Sequence, residues 1–139
     1  MSDEEAIDFE QIEAETESAS PDVFAGNLLE WAVERQASDL FISDEAQSVS
    51  IGIRRLGRVE HVRKLTRDYG LRIQGHVRVL AGGDPGEMLR PTEGRGITVT
   101  PNGREVDLRL SSIPTLHGQD VSIRLFDPVS GVRSLNELG

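Results

Sequence analysis

Residues 106–127 read VDLRLSSIPTLHGQDVSIRLFD. Val106, Leu108 and Leu110 alternate with Asp107, Arg109 and Ser111, and Val121, Ile123 and Leu125 alternate with Ser122 and Arg124. Period-two alternation predicts strands with one apolar and one polar face. Pro114 and Gly118 mark the turn between the two runs. If the runs pair as a hairpin, Arg109 and Arg124 share the polar face. Two guanidinium groups brought together repel unless an anion lies between them or carboxylates flank them. Asp107 and Asp120 are candidates for neutralising them, as ordinary surface pairs. A phosphate is the other candidate, because planar guanidinium forks match its oxygens bidentately. Alternation alone leaves both readings open.

Upstream, the same period predicts a hairpin from ITVT (97–100) and REVDLRL (104–110), with Asn102-Gly103 as a type I′ turn signal. Residues 82–96, GGDPGEMLRPTEGRG, read as an irregular connection rich in glycine and proline. Before it, Tyr69, Ile73, Val77 and Leu80 predict a helix from about Thr66 to Gly82-Gly83, with Gly70 and Gly75 as weak points. Earlier still, Leu40 and Ile42, then Val49, Ile51 and Ile53, then Val59 and Val62 predict three strands, the last two joined at Gly57. A first helix starts with Ser20 as N-cap, Pro21 at the first position and Asp22 in the first turn. Phe24, Leu28, Trp31 and Ala32 form its apolar stripe. The order of helix, strands, helix, strands predicts an α+β domain with a largely antiparallel sheet.

The chain has 139 residues and a formal net charge of -9, and the charge is unevenly placed. Asp3, Glu4, Glu5, Asp8, Glu10, Glu13, Glu15 and Glu17 put eight acids and no base into residues 1–20. The 16 remaining acids face 15 bases from Pro21 onward. Residues 1–20 are therefore expected to be an acidic disordered tail, with Ile7, Phe9 and Ile12 as its apolar content. The near-neutral remainder lacks the basic excess of a nucleic-acid binder. Only Lys64 is lysine among the bases; the preference for arginine fits a genomic bias or a need for bidentate anion contacts. Cysteine is absent, which excludes disulfides and thiolate metal sites. No apolar run approaches the roughly 20 residues of a membrane span, and the acidic amino terminus is no signal peptide, so a cytoplasmic protein without membrane insertion is expected.

Catalytic signals are sparse. His61, His76 and His117 have no metal-ligand spacing, and no serine sits in a GxSxG elbow. A P-loop needs GxxxxGK followed by Ser or Thr, and the single lysine lies in HVRKLT. These absences disfavour an independent hydrolase.

In chain order, LLEWAVERQASDLFIS, IGIRRLGRVEHV, GHVRVLAGGDPGEMLRPTEGRG, VDLRLSSIPTLHGQDVSIRLFD and SLNELG resemble the amino-terminal domain of the secretion traffic ATPases. These are the hexameric motors of type II secretion and type IV pilus assembly. The resemblance covers residues 26–139 and implies a PAS-like domain over 21–130. It also implies that residues 131–139 begin a linker to a RecA-like motor domain that would carry ATP and Mg. No cofactor is implied for the chain itself. Arg109 and Arg124 match the family's signature arginines, which implies contact in trans with phosphates held by the core of the same or a neighbouring subunit. The implied partners are that motor core and the inner-membrane secretion or pilus machinery, with the isolated chain monomeric. The implied location is cytoplasmic, peripheral to the inner membrane.

Some positions depart from the family pattern. Phe41 and Ser43 stand where ASDIHIEP has histidine and glutamate, Leu56 stands where RIDG has aspartate, and Gln119 replaces the acid of HGE. PTEGR keeps Pro91, Gly94 and Arg95 of the usual stretch. A stand-alone PAS-like module binding a ligand or protein is the alternative function.

Overall fold

The computed structural model of the chain describes residues 20–126 apart from Pro85. The acidic stretch 1–19, residues 127–130 of the expected domain and the expected linker at 131–139 lie outside the described residues. Eight elements follow in order: α1 (Pro21–Glu34), β1 (Asp39–Asp44), β2 (Ser48–Arg55), β3 (Arg58–Thr66), α2 (Arg67–Leu80), β4 (Thr92–Val99), β5 (Glu105–Thr115) and β6 (Gly118–Phe126). The fold is α+β, as the alternation of periods predicts.

The strands form one antiparallel sheet in the order β3-β2-β1-β6-β5-β4. Two three-stranded meanders thus meet at β1 and β6, and α2 must carry the chain from one sheet edge to the other. Six strands span about 24 Å at the usual spacing. The 14 residues of α2 rise about 21 Å, so the helix crosses nearly the whole sheet.

Both helices pack on the same sheet face. Phe24, Leu28, Leu29 and Trp31 of α1 and Ile73 and Val77 of α2 join Leu40, Ile42, Val49, Ile51, Ile53, Leu108, Val121 and Ile123 in one buried core. The expected stripe of α1 is buried in full, and Ala25, Leu29 and Val33 widen it. Ser20 is the N-cap residue, but its hydroxyl makes no capping bond. It bonds instead to the Asp22 carboxylate, which is the main reason that carboxyl lies below its ordinary range. At the far end of α2, Gly83 N–H donates to the Arg78 carbonyl and Gly82 N–H to that of Val79. Gly82 has φ +76; together these make a Schellman ending.

Two local expectations need correction. The Asn102-Gly103 turn is not type I′, because that form needs positive φ at both central residues and only Gly103 has it. The Gly103 amide donates to the Thr100 carbonyl and the Thr100 amide to that of Arg104. Pro101 and Asn102 therefore occupy the centre of a type I turn followed by a left-handed glycine. A turn with both central residues left-handed occurs instead at Leu56-Gly57, with φ 53 and 76. Residues 92–96 are the start of β4, not loop.

On β3, Val59 and Val62 are three positions apart, so alternation places them on opposite faces. The register shifts opposite Ile51 and Gly52, which pair with Arg63 and His61. Val62 is the extra residue of a bulge and packs against the core, while Val59 stays exposed.

Candidate functional site

The sheet's other face is covered by neither helix, and its polar rows follow from register. Arg54 pairs with Asp39 across β2 and β1, Asp39 with Arg124 across β1 and β6, Arg124 with Arg109 across β6 and β5, and Arg109 with Arg95 across β5 and β4. Five charged residues thus lie in one line across the sheet. Four of them are arginines.

Asp39 organises one half of this line. It is only 5% exposed, and it accepts from the Ser38 hydroxyl at 2.8 Å. Arg54 Nε lies 3.5 Å from Asp39 Oδ2, and Arg124 Nε lies 3.4 Å from Oδ1. One carboxylate therefore holds two guanidinium groups, and the Arg124 side chain remains 62% exposed. Arg109 is held differently, by stacking on the Phe126 ring at 4.9 Å. Among the described residues, no carboxylate forms an ion pair with Arg109 or Arg95.

Asp107 and Asp120 do not neutralise the pair. Asp120 accepts from the Ser43 hydroxyl, and Asp107 sits one row away between Phe126 and Ile97. The flanking carboxylate is Asp39, and it reaches Arg124 alone of the pair.

A hollow of about 610 Å³ opens over the arginines, with Ser111, Ser122 and Glu93 completing its polar lining. Directly opposed side chains on neighbouring strands have Cβ atoms about 5 Å apart, so the three guanidinium groups of β4, β5 and β6 surround one space. Fork donors with neighbouring hydroxyls suit a carboxylate or a phosphate. A second hollow of about 360 Å³ lies on the same face, lined by Phe41, Gly52, Val59 and His61 among others. His61 Nδ1 is 3.2 Å from the Ser50 hydroxyl there. Among the described residues, no group of three His, Asp or Glu side chains could hold a metal ion.

Alternation within single strands points to Arg109 and Arg124 but does not place Arg95, Asp39 or Phe126 beside them. The hidden signal is register. A two-residue turn at Asn102-Gly103 would oppose Arg95 to Leu110 on the core-facing row. The extra turn residue moves Arg95 opposite Arg109.

The described residues thus form an α+β domain whose helix-free sheet face is lined by arginines. The family comparison is more specific: the model for the type II/IV secretion system protein matches residues 14–139. The chain belongs to that family. It is 30% identical over 112 residues to the type IV pilus assembly ATPase TfpB of Acinetobacter baylyi, covering 81% of this chain and 19% of that protein. It is 33% identical over 112 residues to the type II secretion system ATPase E of Vibrio cholerae, covering 81% and 22%. With the type IV pilus assembly ATPase PilB of Pseudomonas aeruginosa it shares 27% over 130 residues, covering 94% and 23%. The chain spans about a fifth to a quarter of the length of these relatives. No helix among the described residues is long and apolar enough to cross a membrane.

Proposed function

We propose that this chain is a non-catalytic amino-terminal domain of a hexameric secretion or pilus ATPase. It docks on the RecA-like motor core of its own or a neighbouring subunit, on the cytoplasmic side of the inner membrane. Arg109 and Arg124 reach toward the phosphates of ATP, which that core holds with Mg. The observation carrying this reading is the direct pairing of Arg109 with Arg124 on a face that neither helix covers. Asp39 and Phe126 hold the two side chains on that face without enclosing them.

The chemistry would be electrostatic. A triphosphate relieves the mutual repulsion of the guanidinium groups, and the arginines in turn stabilise charge on the phosphate oxygens as domains close. Arginine fingers supplied by a neighbour can raise rates by about a thousandfold or more. A residue acting at the periphery of the phosphates contributes less.

The test uses the whole motor. Arg109→Ala and Arg124→Ala should each lower ATP turnover, by between about tenfold and about a thousandfold, while circular dichroism shows an unchanged fold. Unchanged turnover in both variants would reject the phosphate role. The isolated chain incubated with ATP should release phosphate only at background, and turnover there would restore the hydrolase reading.

A further inference from the structure

Arg95, Arg109 and Arg124 share the open face with exposed Ile97, Ile113 and Phe126. The available counter-charge is small. Asp39 is engaged by Arg54, Arg124 and the Ser38 hydroxyl, and Asp120 is turned to Ser43. That leaves Glu93 in the wall of the hollow, Asp107 one row away and Glu105 two rows away. Carboxylates arriving from elsewhere would complete the site, and apolar side chains arriving with them would cover the exposed ones.

The chain carries a segment of that chemistry. Asp3 to Glu17 supply eight carboxylates with no base, interleaved with Ile7, Phe9 and Ile12. From Pro21 onward acids and bases nearly balance, so this leader holds almost the whole net charge of -9. Reach is ample. The nineteen residues before Ser20 can extend to about 60 Å, against a sheet about 24 Å wide, so the leader can round the sheet edge without any movement of α1.

We infer that the acidic leader, residues 3–17, is the intramolecular occupant of the row formed by Arg95, Arg109 and Arg124. Its carboxylates meet the guanidinium groups, and Ile7 and Phe9 cover Phe126 and Ile97. Each exposed ion pair contributes at most about 1 kcal/mol, so no single contact fixes the segment. Tethering supplies an effective concentration in the millimolar range, which makes many weak contacts sufficient. The occupant is therefore displaceable by a denser anion.

The absence of cysteine makes a clean experiment available. Gln11→Cys in the full chain takes a single nitroxide label, and amide signals of the nitrogen-15 protein report which surface it visits. Signals of Arg95, Arg109, Ser111, Ser122 and Arg124 should lose roughly half their intensity at low salt and recover at 1 M salt, where the Debye length is about 3 Å. Signals on the outer surface of α2, such as Arg72 and Val79, should be unaffected. Changing Arg95, Arg109 and Arg124 together to glutamine should abolish the effect while leaving the rest of the spectrum in place. Uniform broadening, no broadening, or broadening that survives high salt would overturn the inference. So would broadening of an unlabelled nitrogen-15 chain mixed with labelled chain, which would assign the face to a second copy. Because no nucleotide is present, failure here leaves the phosphate reading standing. Unchanged turnover of the arginine variants would remove that reading without touching the leader contact.

Discussion

The Leu80 carbonyl, at the end of α2, lies so close over Gly96 of β4 that a Cβ on Gly96 would stand 2.1 Å from its oxygen. Gly94 meets the Ala81 carbonyl in the same way, and Gly82 meets the backbone of Arg95. Helix end and strand touch backbone to backbone, with no flexible side chain to yield. Gly96→Ala should therefore lose about 3 kcal/mol or more, read as a lower urea midpoint at unchanged slope. Gly75 is the control: nothing lies within 4 Å of a Cβ placed there, so Gly75→Ala should gain roughly 0.5–1 kcal/mol from helix propensity. A loss under about 1 kcal/mol at Gly96 would show that the helix end can shift.

The same contact explains which parts of the fold were legible. Strands β1, β2, β5 and β6 show plain alternation because large apolar side chains fill their core face. Strand β4 has Gly94 and Gly96 at its inward positions, where a helix end takes the place of side chains, so the alternation vanishes and EGRG reads as loop. Gly70, a weak point by helix propensity, is likewise required because its Cβ would stand 2.4 Å from that of Val49. At the site, the two arginines followed from period two within their own strands. Arg95 and Asp39 depend on register between strands distant in sequence, which a turn of one more residue or a central β1–β6 pairing decides.

Leu56 occupies a left-handed conformation, φ 53, and is 88% exposed. Its side chain gains little from burial there, and the backbone conformation costs a non-glycine residue roughly 1 kcal/mol that asparagine and aspartate tolerate better. The family pattern RIDG places an aspartate at this turn. Leu56→Asn should raise stability by about 0.5–1 kcal/mol in chemical unfolding. A decrease would mean that the leucine contributes packing the turn needs.

Arg109 and Arg124 should separate in stability although they pair across strands. Removing Arg109 forfeits an exposed cation–π contact with Phe126, worth about 0.5–1 kcal/mol. Removing Arg124 leaves the buried Asp39 carboxylate with one guanidinium in place of two, a loss of about 1–2 kcal/mol. Thermal unfolding of Arg109→Ala and Arg124→Ala should show the second as the less stable, and the reverse order would remove Asp39 as the organiser of the row.

Asp44 is a buried carboxylate on the helix-covered side. Burial pushes its pKa above the ordinary 3.8. Hydrogen bonds from the Gln119 amide at 2.7 Å and Gln74 Nε2 at 2.8 Å pull it back, as do the charges of Arg67 and Arg78. A carboxyl that binds its proton more tightly when folded stabilises the fold most at low pH. Its contribution is lost as pH rises from the unfolded value through the folded one. The stability of the wild type relative to Asp44→Asn should accordingly decline with rising pH above about 3.8 and then level off. Carbon-13 titration of the Asp44 carboxyl gives the direct check, and a midpoint below 3.8 would reverse the sign.

Gln119, where the family pattern HGE has an acid, is a neighbour of that carboxylate and only 1% exposed. Its Nε2 donates to the Met88 carbonyl at 2.9 Å, and its Oε1 accepts from the Ser112 hydroxyl at 2.9 Å. An amide meets one acceptor and one donor here; a carboxylate cannot donate to Met88 and would place a second negative charge near Asp44. Gln119→Glu should therefore cost about 2–3 kcal/mol at neutral pH. The new carboxyl would have its folded pKa raised by burial and by Asp44, so stability should return as pH falls through that value and the protonated acid regains a donor. Arg78, which contacts Met88, offers a compensating charge. Its guanidinium donates to the Asp84 and Glu87 carbonyls at 2.9 Å each and lies 3.5 Å from Met88 Sδ. A loss below about 1 kcal/mol with no pH dependence would mean that Arg78 leaves those carbonyls to pair with the new carboxylate.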